Sequence, residues 1–360
     1  MERRTFFVPN GQGWELGLKR SCRPDVLDVR RRPVVILPGY GMNSYVFGYH
    51  PGGTSMIDTW VERGHEVWTV DLRGQGAIHL GKRPDRFGLA ELAKNDLRVA
   101  FDFVVEHSRC QPDTVIGVGC SLGGALLYAH VGCVATHRLG AVVGMGAPLR
   151  WEAVHPFFRA VSRAPGLARL AGHLSRRSVN MKVLPLIAQV PGMISLYLHP
   201  EMVDLTHPER LFLTVSDLLP QLNEEMAHWM ARGDLVLDGQ NVTEAFWRST
   251  MPLLCVLGVG DGVVPEAAAL SACRRASATA PCEVLRVGDP ARPYAHADLF
   301  VARQAPQDVF LPVARWLETQ GQLPGEAPGA EAPGAEAPVV QPPAAAGARG
   351  EDGDAVPLPP

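Results

Sequence analysis

Val115-Ile116-Gly117-Val118-Gly119-Cys120 is an apolar run that leads into Ser121-Leu122-Gly123-Gly124 and then into the helix-prone Ala125-Leu126-Leu127-Tyr128-Ala129. The pattern predicts a buried strand, a very tight turn and a helix. On such a turn Ser121 stands proud of the sheet, its Oγ exposed and the helix N-terminus beneath it. Gly119 and Gly123 are expected because a Cβ at either position would collide with the neighbouring strand or helix. Ser121 is therefore a candidate nucleophile, and it limits the fold to one in which strands alternate with helices.

The rest of the chain supplies that alternation. Asn10-Gly11 sits between two strand-like runs from Phe6 to Arg20. Pro33–Leu37, Glu66–Asp71, Gly140–Met145, Pro252–Leu257 and Cys282–Val287 are short and apolar, as strands buried on both faces are. Helical patterns fall at 54–63, 89–107, 122–135, 265–276 and 306–319. Together these predict an α/β fold with a mostly parallel central sheet flanked by helices. From Arg150 to Arg248 the rhythm breaks into proline-punctuated helical patterns, which predicts an all-helical insertion. The expected organisation is a first core part over 1–149, the helical insertion over 150–248, a second core part over 249–320, and a tail over 321–360. The tail repeats Glu-Ala-Pro-Gly-Ala imperfectly, has almost nothing apolar to bury, and is expected to be disordered.

An elbow serine needs a base and an orienting acid, in the chain order Ser, Asp, His. Asp261 ends the first strand after the insertion, in Gly260-Asp261-Gly262. Asp234 and Asp238 precede that strand and belong to the insertion. Of the twelve histidines, His296 alone follows the final strand, which places it at the sheet's C-terminal edge. The oxyanion of an acyl-transfer intermediate needs backbone N–H donors. Leu122, directly after Ser121, and Tyr40, in Pro38-Gly39-Tyr40-Gly41, are the candidates. Two rival readings of the turn fail. A dinucleotide loop would need its third glycine one residue earlier and an acid ending the next strand. Cys120 as nucleophile would be flanked by Val118 and Leu122, where the elbow needs small residues.

These motifs, with Asp71-Leu72-Arg73-Gly74-Gln75-Gly76 and His296-Ala297-Asp298, resemble the α/β-hydrolase superfamily over roughly residues 12–320. The pattern is similar to lipase- and esterase-like members with a helical cap, including the acid-lipase type. It departs from many members in having Pro38 where they carry His. The resemblance implies an acyl-serine mechanism with no cofactor and a cap over the site. The insertion is rich in Phe157, Phe158, Met181, Met193, Leu196, Tyr197, Met202, Phe212, Met226, Trp229 and Met230. Residues of this kind suit a lipophilic acyl group, since each buried methylene contributes about 0.8 kcal/mol and Met adapts to irregular shapes. A small-molecule lipophilic ester is the expected substrate. An acyltransferase using the same acyl-enzyme and a non-catalytic binding protein on a hydrolase scaffold are the alternatives.

Composition narrows the partners. Residues 321–360 hold six acids and one base, so the rest of the chain is near neutral, and nothing favours nucleic acid. The seven cysteines are scattered without a C-x-x-C pair, which predicts neither a disulfide framework nor a zinc site. With no apolar signal core at the N-terminus and no stretch of about 18 apolar residues, a soluble cytoplasmic protein without an integral membrane segment is expected. The sequence is silent on oligomeric state.

Overall fold

Val34, Val35, Ile36 and Leu37 form a strand whose alternate residues belong to different hydrophobic cores. Val35 and Leu37 face one, Val34 and Ile36 the other, and all four are fully buried. A strand covered by helices on both faces requires such an uninterrupted apolar run. The computed structural model describes residues 1–76, 87–166, 169, 194–274 and 281–320. The expected tail over 321–360 and the apolar residues Met181 and Met193 lie outside the described residues.

In chain order the strands are β1 (Glu2–Pro9), β2 (Glu15–Cys22), β3 (Val34–Leu37), β4 (Val67–Asp71), β5 (Val115–Cys120), β6 (Leu139–Met145), β7 (Val236–Leu237), β8 (Gln240–Asn241), β9 (Leu253–Gly258), β10 (Cys282–Asp289) and β11 (Arg292–Pro293). Nine of them make one sheet in the order β1-β2-β4-β3-β5-β6-β9-β10-β11. From β4 to β10 every neighbouring pair is parallel, while β1, β2 and β11 join antiparallel at the edges. The parallel strands therefore end at a common edge, the usual place for a site in such sheets.

The helices preceding the insertion are α1 (Tyr45–Gly48), α2 (Met56–Glu62), α3 (Leu89–Glu91), α4 (Leu97–His107) and α5 (Leu122–Cys133). Within the 150–248 segment lie α6 (Pro156–Ser162), α7 (Pro208–Phe212), α8 (Pro220–Arg232) and α9 (Val242–Trp247). After it come α10 (Glu266–Ala269), α11 (Asp298–Val301) and α12 (Leu311–Gln320). One sheet face packs on α4, α5 and α9, and the other on α2, α11 and α12. The capping box that Ser55 and Asp58 form at the start of α2 satisfies N–H groups the helix itself leaves open. Contact of α5 with β5 and β3 is close enough to exclude side chains. A Cβ on Gly119 would lie 2.3 Å from Gly124 N, and one on Gly123 would lie 2.6 Å from Leu37 O.

Four observations differ from the sequence reading. The helix expected over 89–107 contains a π-helical stretch, Leu92–Asp96, between α3 and α4. The 150–248 segment is not all-helical, because β7 and β8 form an antiparallel hairpin. Asp238 and Gly239 both have positive φ there (49° and 78°), the requirement of a two-residue hairpin turn for which Asp-Gly is a favoured sequence. The end of the segment, α9, lies on the core helix α5, with the Phe246 and Tyr128 rings 4.7 Å apart. Finally, Cys273 and Cys282 are joined in a disulfide. No sequence spacing announces this pair, which tertiary packing brings together at the start of β10, with Cys255 of β9 nearby. Among the described residues no helix is long and apolar enough to cross a membrane.

Candidate active site

Ser121 connects β5 to α5 with φ 50° and ψ −117°, a strained conformation for a residue with a side chain. It is held there from both sides. Its N–H donates to Met145 O (2.8 Å), and its carbonyl accepts from Gly124 N (3.1 Å) and Ala125 N (3.2 Å). Because α5 begins at Leu122, the first N–H groups of that helix have no intrahelical acceptor and converge beside the serine. Cys120 points the other way, 1% exposed in the opposite core, and burial pushes its thiol pKa well up, so it remains protonated.

Asp261 and His296 lie 35 residues apart in sequence and are brought together: Nδ1 of His296 and Oδ2 of Asp261 are 2.7 Å apart. The other carboxylate oxygen, Oδ1, accepts from Val263 N (2.9 Å) and Val264 N (2.8 Å), which fixes the acid's orientation. Both side chains are almost fully buried. His296 and Ser121 line the same cavity, of about 330 Å³, and Asp261 stands behind His296, away from that cavity.

The loop after β3 runs alongside the serine. A Cβ on Gly39 would lie 3.1 Å from Ser121 Cβ, and Tyr40 and Leu122 both line the cavity. Tyr40 is anchored at its far end, where its hydroxyl donates to Asn223 Oδ1 (2.7 Å) and accepts from Leu219 N (2.8 Å). The chain from Asp71 to Gly76 holds this loop from below. Gln75 Nε2 donates to Gly39 O (3.2 Å), and Asp71 accepts from both Ser44 N (2.7 Å) and Ser44 Oγ (2.8 Å). Arg73 is bound to the buried Asp96 of the π-helical stretch.

Three supporting residues were not apparent from sequence. Gln75 and Asp71 belong to a quoted motif, but their role depends on where the loop after β3 passes. Gly146 follows β6 at φ 54°, and a Cβ there would lie 3.0 Å from His296 Cε1 and 3.2 Å from Asp261 Oδ2. A glycine directly after a buried strand is the only signal it left.

Apart from Ser162 and Asn223, the rest of the cavity lining is apolar or aromatic. Phe157, Phe158, Tyr197, Met226, Trp229 and Met230 line it, whereas Leu196, Met202 and Phe212 do not. Trp229, 4% exposed, stacks edge-on against Trp151 with ring centroids 5.6 Å apart. It also borders a second cavity of about 290 Å³, which is lined by Glu91, Glu225, His228, Arg232, Asp234 and Asp238 among others. Tyr197 tilts toward His296, centroid to centroid 6.0 Å.

No curated protein sequence matches the chain. Solved structures share its fold at low identity. A hydrolase from Pseudomonas aeruginosa PA01 is 15% identical with a TM-score of 0.59, covering 87% of this chain and 98% of its own. A soluble variant of monoglyceride lipase from Saccharomyces cerevisiae, solved with a substrate analog, is 15% identical with a TM-score of 0.58, covering 90% and 96%. A bromoperoxidase from Bacillus anthracis is 16% identical with a TM-score of 0.57, covering 88% and 99%. The model of the family described as serine aminopeptidase, S33 matches residues 29–285, most of the chain. The mostly parallel sheet, the strand–serine–helix turn and this match together make the chain an α/β-hydrolase of the serine aminopeptidase, S33 family.

Proposed function

We propose that the protein is a serine hydrolase that cleaves carboxylic esters of lipophilic acyl groups without a cofactor. Ser121 Oγ attacks the ester carbonyl while His296 takes its proton, and Asp261 holds the imidazole and stabilises its charged form. The backbone N–H groups of Leu122 and Tyr40 receive the oxyanion. Collapse of the tetrahedral intermediate expels the alcohol, protonated by His296, and leaves an acyl-serine. Water activated by His296 then attacks the acyl-serine and releases the acid. The 150–248 segment acts as a cap that shapes the acyl site.

The observation that carries this reading is the 2.7 Å His296–Asp261 pair set behind an apolar cavity that His296 shares with the strained Ser121. The lining also favours esters over peptides with a free amino terminus. Among the described lining residues there is no carboxylate to hold an ammonium group.

A fluorophosphonate probe labels the wild-type chain and leaves Ser121→Ala unlabelled; equal labelling of the two removes Ser121 as nucleophile. Substituting His296 with Ala lowers turnover of a p-nitrophenyl ester by about a thousandfold or more. Retained activity there assigns the base elsewhere.

A further inference from the structure

Asp298 is fully buried two residues after His296. Its carboxylate accepts from Ala295 N (2.8 Å, to Oδ2) and from His199 N (3.1 Å, to Oδ1), and Oδ2 lies 2.8 Å from His199 Nδ1. The short stretch 196–199, within the 150–248 segment, makes two more bonds to the same region. Leu196 O accepts from Gly262 N (3.2 Å), the residue after Asp261, and Tyr197 O accepts from Ala297 N (2.7 Å), the residue after His296. The backbone on both sides of His296 is thus tied down, at Ala295 through Asp298 and at Ala297 through Tyr197. The backbone beside Asp261 is tied to the same stretch.

We propose that His199 is a positioning residue for the reaction, holding His296 in reach of Ser121 and Asp261 by fixing the Asp298 carboxylate that carries the His296 loop. The proposal rests on the hydrolase reading above. Asp298 is expensive to keep charged at zero exposure, and burial pushes its pKa up against the hydrogen bonds that lower it. Without the His199 side-chain donor the carboxyl keeps the bond from His199 N but is more readily protonated. A proton on Oδ2 would then compete with the Ala295 N–H for that oxygen and weaken the bond. Misplacing a reacting group by about 1 Å costs on the order of a hundredfold in rate.

The test uses the full chain and a p-nitrophenyl ester. His199→Leu removes the side-chain donor, and His199→Asn restores one near the place of Nδ1. The expected result is a kcat about ten- to a hundredfold lower in His199→Leu with KM within about threefold, and recovery of most of that kcat in His199→Asn. A loss confined to KM, an unchanged kcat, or an Asn variant as slow as Leu overturns the proposal, since bulk and packing alone would then explain the position. Should His199→Leu fail to fold, Asp298→Asn, which keeps the shape of the carboxyl, must show the same loss of kcat, and full activity there overturns it. A wild-type chain that takes up no fluorophosphonate overturns the hydrolase reading and this proposal with it; a labelled, active wild type beside an unimpaired His199→Leu overturns this proposal alone.

Discussion

Ser121 and His65 show two ways in which a single residue is held in an unfavourable state by its surroundings. Ser121 keeps its φ of 50° because Met145 O, Gly124 N and Ala125 N fix its backbone on both sides. His65 is fully buried beside Arg31 and Arg63, and burial first, then those two cations, push its pKa down to about 3. Its effect on stability has a definite sign. Unfolded, the imidazole binds a proton below about pH 6.5, whereas folded it stays neutral until far lower. The unfolded state therefore holds the extra proton throughout that window, and stability falls as the pH drops. From pH 7 to 5 the loss is roughly 2 kcal/mol. Denaturant midpoints at the two pH values measure it, and His65→Phe flattens that part of the slope. An unaltered slope in the variant refutes the assignment. At this scale chain order was the informative signal: Asp261 and His296, singled out by order, stand 2.7 Å apart, and His296 lines one cavity with Ser121. It was uninformative about Gly146, Gln75 and His199, whose contacts come from which chain passes which in space.

Among the elements, the loop after β3 is fastened at several points to the 150–248 segment. Asn43 N donates to Thr214 O and Ser216 N to Gly41 O, both at 2.9 Å, beside the hydroxyl anchor of Tyr40. Tyr40→Phe removes that anchor, breaking the hydrogen bond to Asn223 Oδ1 and the one from Leu219 N. A kcat about tenfold lower is expected, with a stability loss of about 1–3 kcal/mol. Ester kinetics and a thermal midpoint measured on the same preparation check both, and wild-type kcat would show that the loop is placed without Tyr40. The buried strands were legible because two-sided burial leaves an apolar run that few other elements share. The π-helical stretches at Leu92–Asp96 and Pro306–Phe310 were not, since their side-chain pattern is that of an ordinary helix. The Cys273–Cys282 bond joins residues whose nearness depends on how β10 lies beside β9.

For the molecule as a whole, parallel pairing from β4 to β10, between two cores on opposite sheet faces, brings those strand ends to one edge, and the largely apolar cavity lies over that edge. Its lining predicts a preference that grows with the substrate. Across p-nitrophenyl esters of increasing acyl length, kcat/KM rises by up to about fourfold per methylene until the cavity is full. A flat series would place acyl binding elsewhere. Where the rise stops depends on Trp229. That ring lines both the cavity at Ser121 and a second cavity in which carboxylates outnumber cations. Trimming it to Ala is expected to open the one toward the other, greasy at the serine and acidic at the far end. Such a passage matches a long acyl chain that ends in an ammonium group, a shape of substrate the intact wall keeps out.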